Sequence, residues 1–173
     1  MDFQIGQIFE GEYPPEAATW CNDRQDCYIA EIEKLGDTRR FQIVAVPAPT
    51  LEEAREKKLA ELSEKFAEAS ETASITTSLG FKIDANPAAN RDLDGLILVL
   101  RPGEKTKFCD FYNTFHEVTR EDLEVARKEI VLNGLYLYDQ KWYFRRLIND
   151  AETVEALNAI NIVFHNSSFE NEE

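Results

Sequence analysis

The chain contains few residues of the kinds that hold metal ions or carry redox chemistry. Its 173 residues include three cysteines, two histidines and one methionine. The cysteines, at positions 21, 27 and 109, have no CxxC spacing, and His116 and His165 have no third imidazole to complete a zinc site. P-loop, GxSxG and GxGxxG motifs are also absent. We therefore expect no metal and no cofactor.

Basic residues are also scarce. The chain has 19 lysines and arginines against 33 aspartates and glutamates, for a formal net charge of −14. Because phosphate backbones and anionic lipids attract clustered basic residues, this balance argues against nucleic-acid and membrane-surface partners. The longest apolar run, 96–100, is too short to span a bilayer. The opening MDFQIGQIFEGEY lacks the basic flank and apolar run of a signal peptide, so we expect reduced thiols and a cytoplasmic chain.

The alternation of strand and helix patterns predicts an α+β fold with two domains. Residues 1–49 read as a small β-rich module, in which 27–32 and 40–46 form a hairpin. The stiff segment 46–49, VPAP, then separates it from a mainly helical domain at 50–173. The polar, acidic tail HNSSFENEE is expected to fray.

Several helix starts are marked by capping residues. Thr50 with Glu53 forms a capping-box pattern that opens a helix to about residue 73. Asn86 before Pro87 starts a second helix, because proline suits the first helical position. The surrounding DANPAANRDLD could suggest calcium, but it lacks the glycine and glutamate that an EF-hand loop needs at positions six and twelve. Capping is the favoured interpretation of these polar residues.

The first of these helices carries a short heptad seam that includes Leu59, Leu62 and Phe66. Two repeats are fewer than a firm coiled-coil assignment requires. Two alternatives follow: the helix docks on its own domain, or the seam joins copies of the chain into a dimer or trimer.

The run KFCDFYNTFHEV predicts a β-hairpin at about 107–118 with Asn113-Thr114 as its turn. That register places Phe108, Tyr112 and Phe115 on one face as candidate partner contacts. It places Cys109 and His116 on the other face, the pair that a thiolate nucleophile would need. Asp110, the one candidate acid to orient the imidazole, would then lie opposite Glu117 on the wrong face. We therefore assign Cys109, Asp110 and His116 structural roles and predict no catalytic residues.

A long helix is predicted at about 120–148, capped by Thr119 and followed by two acidic residues that suit the helix N-terminus. One apolar row fits a core. A second row includes Tyr138 and Trp142, aromatic residues of the kind that dominate protein interfaces. Gly134 interrupts the helix and would suit a close helix crossing or a bend.

The hairpin and long helix carry a resemblance to a known family. The runs FCDFYNTFHEVTREDL and EIVLNGLYLYDQKWYFRRLINDAETVEALNAI resemble a bacteriophage domain family of unknown function, over about 51–163. Gly80 to Asp84 fits its G-x-x-x-D stretch. Members look like the C-terminal parts of tail, tail-fibre and fibre-assembly proteins.

The resemblance implies a non-enzymatic tail-module protein, either a fibre or baseplate component or an assembly accessory. Its partners would be phage tail or fibre proteins. It would reside in the host cytoplasm during assembly, with the virion tail as a further expected location. It implies no catalytic residues. The alternative function is a small acidic phage-encoded inhibitor of a host defence or nucleic-acid-binding complex, because charge can occupy a basic groove.

Overall fold

The computed structural model of the chain describes residues 2–36 and 38–169. It shows helices and small antiparallel strand pairs, which confirms the α+β class. Two units divide between Pro49 and Thr50. Within the described residues, no helix is long and apolar enough to cross a membrane.

The first unit is a three-stranded antiparallel sheet with one helix. Its elements, in chain order, are β1 (Ile8–Glu10), α1 (Pro15–Arg24), β2 (Cys27–Leu35) and β3 (Thr38–Ala45). The sheet order is β1-β3-β2, and the hairpin predicted from the sequence is β2 with β3. Ala17, Cys21, Cys27 and Ile43 form its buried core.

The second unit contains the long helix and two small strand pairs. Its elements, in chain order, are α2 (Leu51–Glu71), β4 (Ser74–Thr76), β5 (Lys82–Asp84), α3 (Pro87–Val99), β6 (Lys105–Cys109), β7 (Phe115–Thr119), α4 (Arg120–Asp150) and α5 (Val154–Ala159). β4 pairs with β5 and β6 with β7, both antiparallel. The two hairpins precede α3 and α4 respectively. Both α2 and α3 pack against α4, and α2 also packs against α5.

Three helices of this unit begin with the caps that the sequence predicts. The Thr50 side chain accepts a hydrogen bond from the Glu53 amide, and the Thr50 amide donates one to the Glu53 side chain. Asn86 accepts from the amide of Ala89. Thr119 forms a second capping box with Asp122, whose carboxylate accepts from the Thr119 amide. These contacts satisfy amides that have no partner within the helix and fix where each helix begins.

The core of the unit lies along one face of α4. The buried apolar residues of that face lie 3, 4, 7 and 11 residues apart, all of them sums of three and four, and are Leu123, Ala126, Ile130, Leu137 and Ile148. The α2 seam faces inward. Leu62 is only 2% exposed and packs in a cluster with Ile148, Leu157 and Ile162, which Leu59 borders. Of the two alternatives for this helix, α2 therefore docks on its own domain, and Leu62 is unavailable to a partner in the folded unit.

The segment after α5 lies along α4 and does not fray over its described part, which corrects the sequence expectation for 165–169. Asn133, fully buried, donates to the Asn166 side chain at 3.0 Å and accepts from the Ser167 amide at 2.7 Å. Gln140 makes two 2.8 Å hydrogen bonds with the backbone of His165. The amide of Phe169 donates to the carbonyl of Thr76 at 3.0 Å, next to a Thr76–Ser168 bridge. Residues 170–173, the end of the predicted frayed tail, lie outside the described residues.

Gly134 does not mark a close helix crossing. A Cβ built on it meets no described atom within 4 Å. The glycine lies inside α4, where it lowers stability because glycine loses more conformational freedom on folding than other residues do.

Candidate functional site

The hairpin of β6 and β7 has a different register from the predicted one. Phe108 pairs with His116 and Cys109 with Phe115, so the connecting loop is 110–114. The predicted register was wrong because it joined the strands by a two-residue turn and set Asp110 against Glu117. In the structure Glu117 lies opposite Lys107 and forms an ion pair with Lys105 at 3.0 Å, which removes the like-charge contact.

Asp110 organises this loop. Its Oδ1 accepts from the amides of Tyr112 and Thr114, both at 2.8 Å, in the way that aspartate commonly closes a turn. Asn113 takes a positive φ of 62°, a conformation that asparagine tolerates better than most residues. The amide of Phe111 donates to the carbonyl of Lys82, which ties the loop to β5.

The predicted separation of Asp110 from His116 is therefore wrong. Oδ2 of Asp110 lies 2.8 Å from Nε2 of His116, and the imidazole stacks on Phe81 at 4.2 Å between ring centroids. The hydrogen bond to His116 and those to the loop amides hold the pKa of Asp110 below its ordinary value.

Cys109 has no part in this pair. It is exposed, its Sγ lies 4.0 Å from Oδ1 of Asn113, and alternation along the hairpin directs it to the face opposite His116. The arrangement is thus an aspartate–histidine pair that holds a loop. It lacks the contact between thiol and imidazole on which nucleophilic activation depends.

The predicted hairpin contact residues divide into two groups. Phe108 faces inward, 6.1 Å from the ring of Phe81, and borders the core. Tyr112 and Phe115 are 68% and 70% exposed. Lys82 lies over the neighbouring Phe111 ring at 4.3 Å. The loop therefore presents a small aromatic tip while Phe108 stabilises the fold.

The largest set of exposed apolar residues lies on α4, away from the core. One stripe follows the spacing of Tyr138 and Trp142, and its members are Val131, Leu135, Tyr138 and Trp142. A second stripe was missed by the sequence analysis, although its helical spacing is visible there; its members are Val125, Leu132, Tyr136 and Tyr143. We call the two stripes together the outer face of α4. Trp142, at 57% exposure, is its largest side chain.

Phe66, predicted as a partner contact, serves as a support below this face. Its ring lies 4.9 Å from that of Tyr138 and 5.7 Å from that of Phe164. The ammonium of Lys141 lies 4.1 Å from its ring centroid. Phe66 thus fixes the position of Tyr138 from within the unit.

A charged ridge runs between the two stripes. Lys128, Asp139 and Arg146 are exposed on it, and none forms an ion pair with another described residue. Glu121 lies on the same line and accepts a hydrogen bond from the Gly103 amide. The guanidinium of Arg146 lies 5.9 Å from the Tyr143 ring. The tyrosines and Trp142 of the stripes, with Arg146 beside them, are residue types that are enriched at protein contact surfaces.

No group of three or more histidine, cysteine, aspartate or glutamate side chains that could hold a metal ion occurs among the residues that the structure describes. Comparison with curated proteins and with solved structures finds no match. Residues 53–161 match the model of a family described as Domain of unknown function (DUF4376). The match spans more than half of the chain, and the chain belongs to the DUF4376 family.

Proposed function

We propose that the chain is a non-enzymatic assembly module that acts through protein contacts, and that the outer face of α4 is its main contact surface. The observation that carries the proposal is the exposure of eight large apolar side chains on one helix. A protein that works alone rarely leaves two neighbouring apolar stripes of this size in water, because burying them against a partner is favourable.

The support beneath this face favours binding. Core residues hold the opposite side of α4, Phe66 packs against Tyr138, and the C-terminal segment is bonded to Asn133 and Gln140. A partner would meet a surface whose backbone is already fixed, so little conformational entropy is lost on binding. The hairpin tip with Tyr112 and Phe115 offers a second, smaller contact.

We further propose that the assembly is a phage tail module, in which the chain is a fibre or baseplate component or helps a fibre to assemble. This part is supported by the resemblance of the hairpin and long helix to phage tail and fibre proteins. The Asp110–His116 pair fits the same role, since it fixes the loop that carries Tyr112.

The test is binding of the full chain to the tail and fibre proteins encoded beside it, measured by native mass spectrometry and calorimetry. Leu135→Glu places a charge on the outer face, and Leu98→Glu, at a leucine that is 84% exposed on α3, is the matched control. We expect the control to bind like the wild type and Leu135→Glu to bind at least about thirtyfold more weakly, as for a central interface residue. Equal affinities for all three chains, or no binding by any, would contradict the proposal.

A further inference from the structure

The geometry of the outer face restricts what can pair with it. At about 100° and 1.5 Å per residue, its two stripes lie roughly 110° apart around α4, and the ridge lies midway between them. The ridge residues are all within about 10° of that midline. A second helix lying along the ridge would therefore contact the ridge charges and the inner edges of both stripes.

The charges on the ridge are arranged antisymmetrically. Lys128 and Asp139 are equally far from the midpoint between residues 133 and 134, and so are Glu121 and Arg146. Each of these two pairs consists of one basic and one acidic residue. In an antiparallel pair of identical helices, a two-fold axis through that midpoint brings each residue against its counterpart across the interface. Parallel pairing would instead set each charge against its own copy.

We propose that the outer face of α4 pairs with the same face of a second copy of the chain, antiparallel, about a two-fold axis near residues 133–134. The inference rests on the proposed function, in which α4 makes protein contacts. It names a second copy of the chain as the partner at that face in the absence of a tail protein, so a tail protein that binds there competes with the pairing. Lys128 meets the partner's Asp139, and Glu121 meets the partner's Arg146. Each contact occurs twice, so four ion pairs span the interface.

Apolar contacts lie beside the two-fold axis and farther out along the paired helices. Leu132 and Leu135 lie on either side of the midline, close to the axis, so each meets its own copy. Val125 is on the same side of the midline as Tyr143. The two lie 8.5 and 9.5 residues from the midpoint in opposite directions, a difference of about 1.5 Å, so Val125 meets the partner's Tyr143. These contacts alternate with the ion pairs along the helix and fix the register, because sliding by one turn would separate the charges.

The exposed apolar area of the outer face approaches that of a stable interface, and a paired helix buries the part of it beside the ridge together with the ridge side chains. The eight apolar side chains of the outer face are 39% to 57% exposed. Four of the eight are aromatic side chains, which present roughly 150–250 Å² each, and the valines and leucines are smaller, so together they expose on the order of 600–800 Å². Stable protein interfaces bury about 800 Å² on each partner.

The test is a charge-reversal cycle on the full chain, followed by sedimentation equilibrium from about 1 to 100 μM. Lys128→Asp and Asp139→Lys each convert both copies of one ion pair into repulsion. We expect each variant to weaken the dimer about tenfold. The double variant restores opposite charges and should recover the wild-type dissociation constant. A mixture of the two single variants should form a heterodimer more readily than either forms a homodimer.

Leu98→Glu, at the 84% exposed leucine of α3, is the control and should dimerise like the wild type. Circular dichroism of every variant confirms folding, which exposed charge changes should preserve. A monomeric wild-type chain, or a dimer insensitive to the charge cycle, overturns the pairing. A monomer that still binds tail proteins through Leu135 overturns the pairing alone and leaves the proposed function standing. A dimer with the expected charge cycle that binds no tail protein supports the pairing and removes the tail context.

Discussion

Replacing Asn133 by alanine should detach the C-terminal segment from α4. The side chain is fully buried and makes two hydrogen bonds to that segment, to Asn166 and to the amide of Ser167. At about 1 kcal/mol net for each, the free energy of unfolding should fall by about 2 kcal/mol. For a unit of this size, that loss lowers the melting temperature by roughly 6 to 10 °C.

Urea unfolding followed by far-ultraviolet circular dichroism measures the change, and hydrogen exchange locates it. The Ser167 amide should lose protection in Asn133→Ala before the interior of α4 does. Asn149→Ala, at an exposed asparagine near the end of α4, is the matched control and should stay within about 0.5 kcal/mol of the wild type. Equal stability of the two variants would refute the reasoning that the segment is held by this buried amide.

Three further changes have defined outcomes. Asp122→Ala removes one side of the capping box with Thr119 and should cost about 1 kcal/mol in thermal or urea unfolding, whereas no loss would mean that the cap contributes nothing. Because the pKa of Asp110 is held below its ordinary value of 3.8 by His116, its stabilisation is complete above that value and is lost as the pH falls further. Below about pH 4, the free energy of unfolding of Asp110→Asn should therefore decrease less steeply with falling pH than that of the wild type. Identical pH profiles of the two proteins would contradict this. Gly134→Ala should raise the free energy of unfolding by about 0.5 to 1 kcal/mol, since a Cβ there meets no described atom within 4 Å; a loss would reveal a contact at that position.

Local signals in the sequence were sufficient for most elements. Thr50, Asn86 and Thr119 mark helix starts because each side chain caps amides within the next three residues. The three- and four-residue spacing of apolar residues identified the buried face of α4. These features depend on neighbours in the chain, so a single sequence contains them.

The wrong predictions concern segments whose structure is determined by contacts between residues far apart in the sequence. The hairpin register depends on the Asp110 side chain, which closes a five-residue loop and bonds to His116, and on the backbone bond from Phe111 to Lys82. The segment 165–169 looked like a solvated tail, because its partners Asn133 and Thr76 are far away in sequence. Polar residues far apart in the chain that satisfy one another leave no periodic pattern.

The candidate site shows the same division. Tyr138 and Trp142 were identified by type and spacing, and both are exposed. Leu62 and Phe66 have the same spacing signal, but α4 and the C-terminal segment cover them. Periodicity marks an apolar face without showing whether that face is already covered by the same chain.

Hydroxyl-radical footprinting of the full chain tests the central claim most directly, because it reports the solvent exposure of individual side chains in solution. We expect Leu135 and Trp142 to become several-fold less reactive as the protein is concentrated from about 1 to 100 μM, or when it is mixed with the tail proteins proposed as its partners. Tyr112, at the hairpin tip, should keep its reactivity on self-association. If Leu135 and Trp142 stay equally reactive at every concentration and with every tail protein, the outer face of α4 is not a protein contact surface.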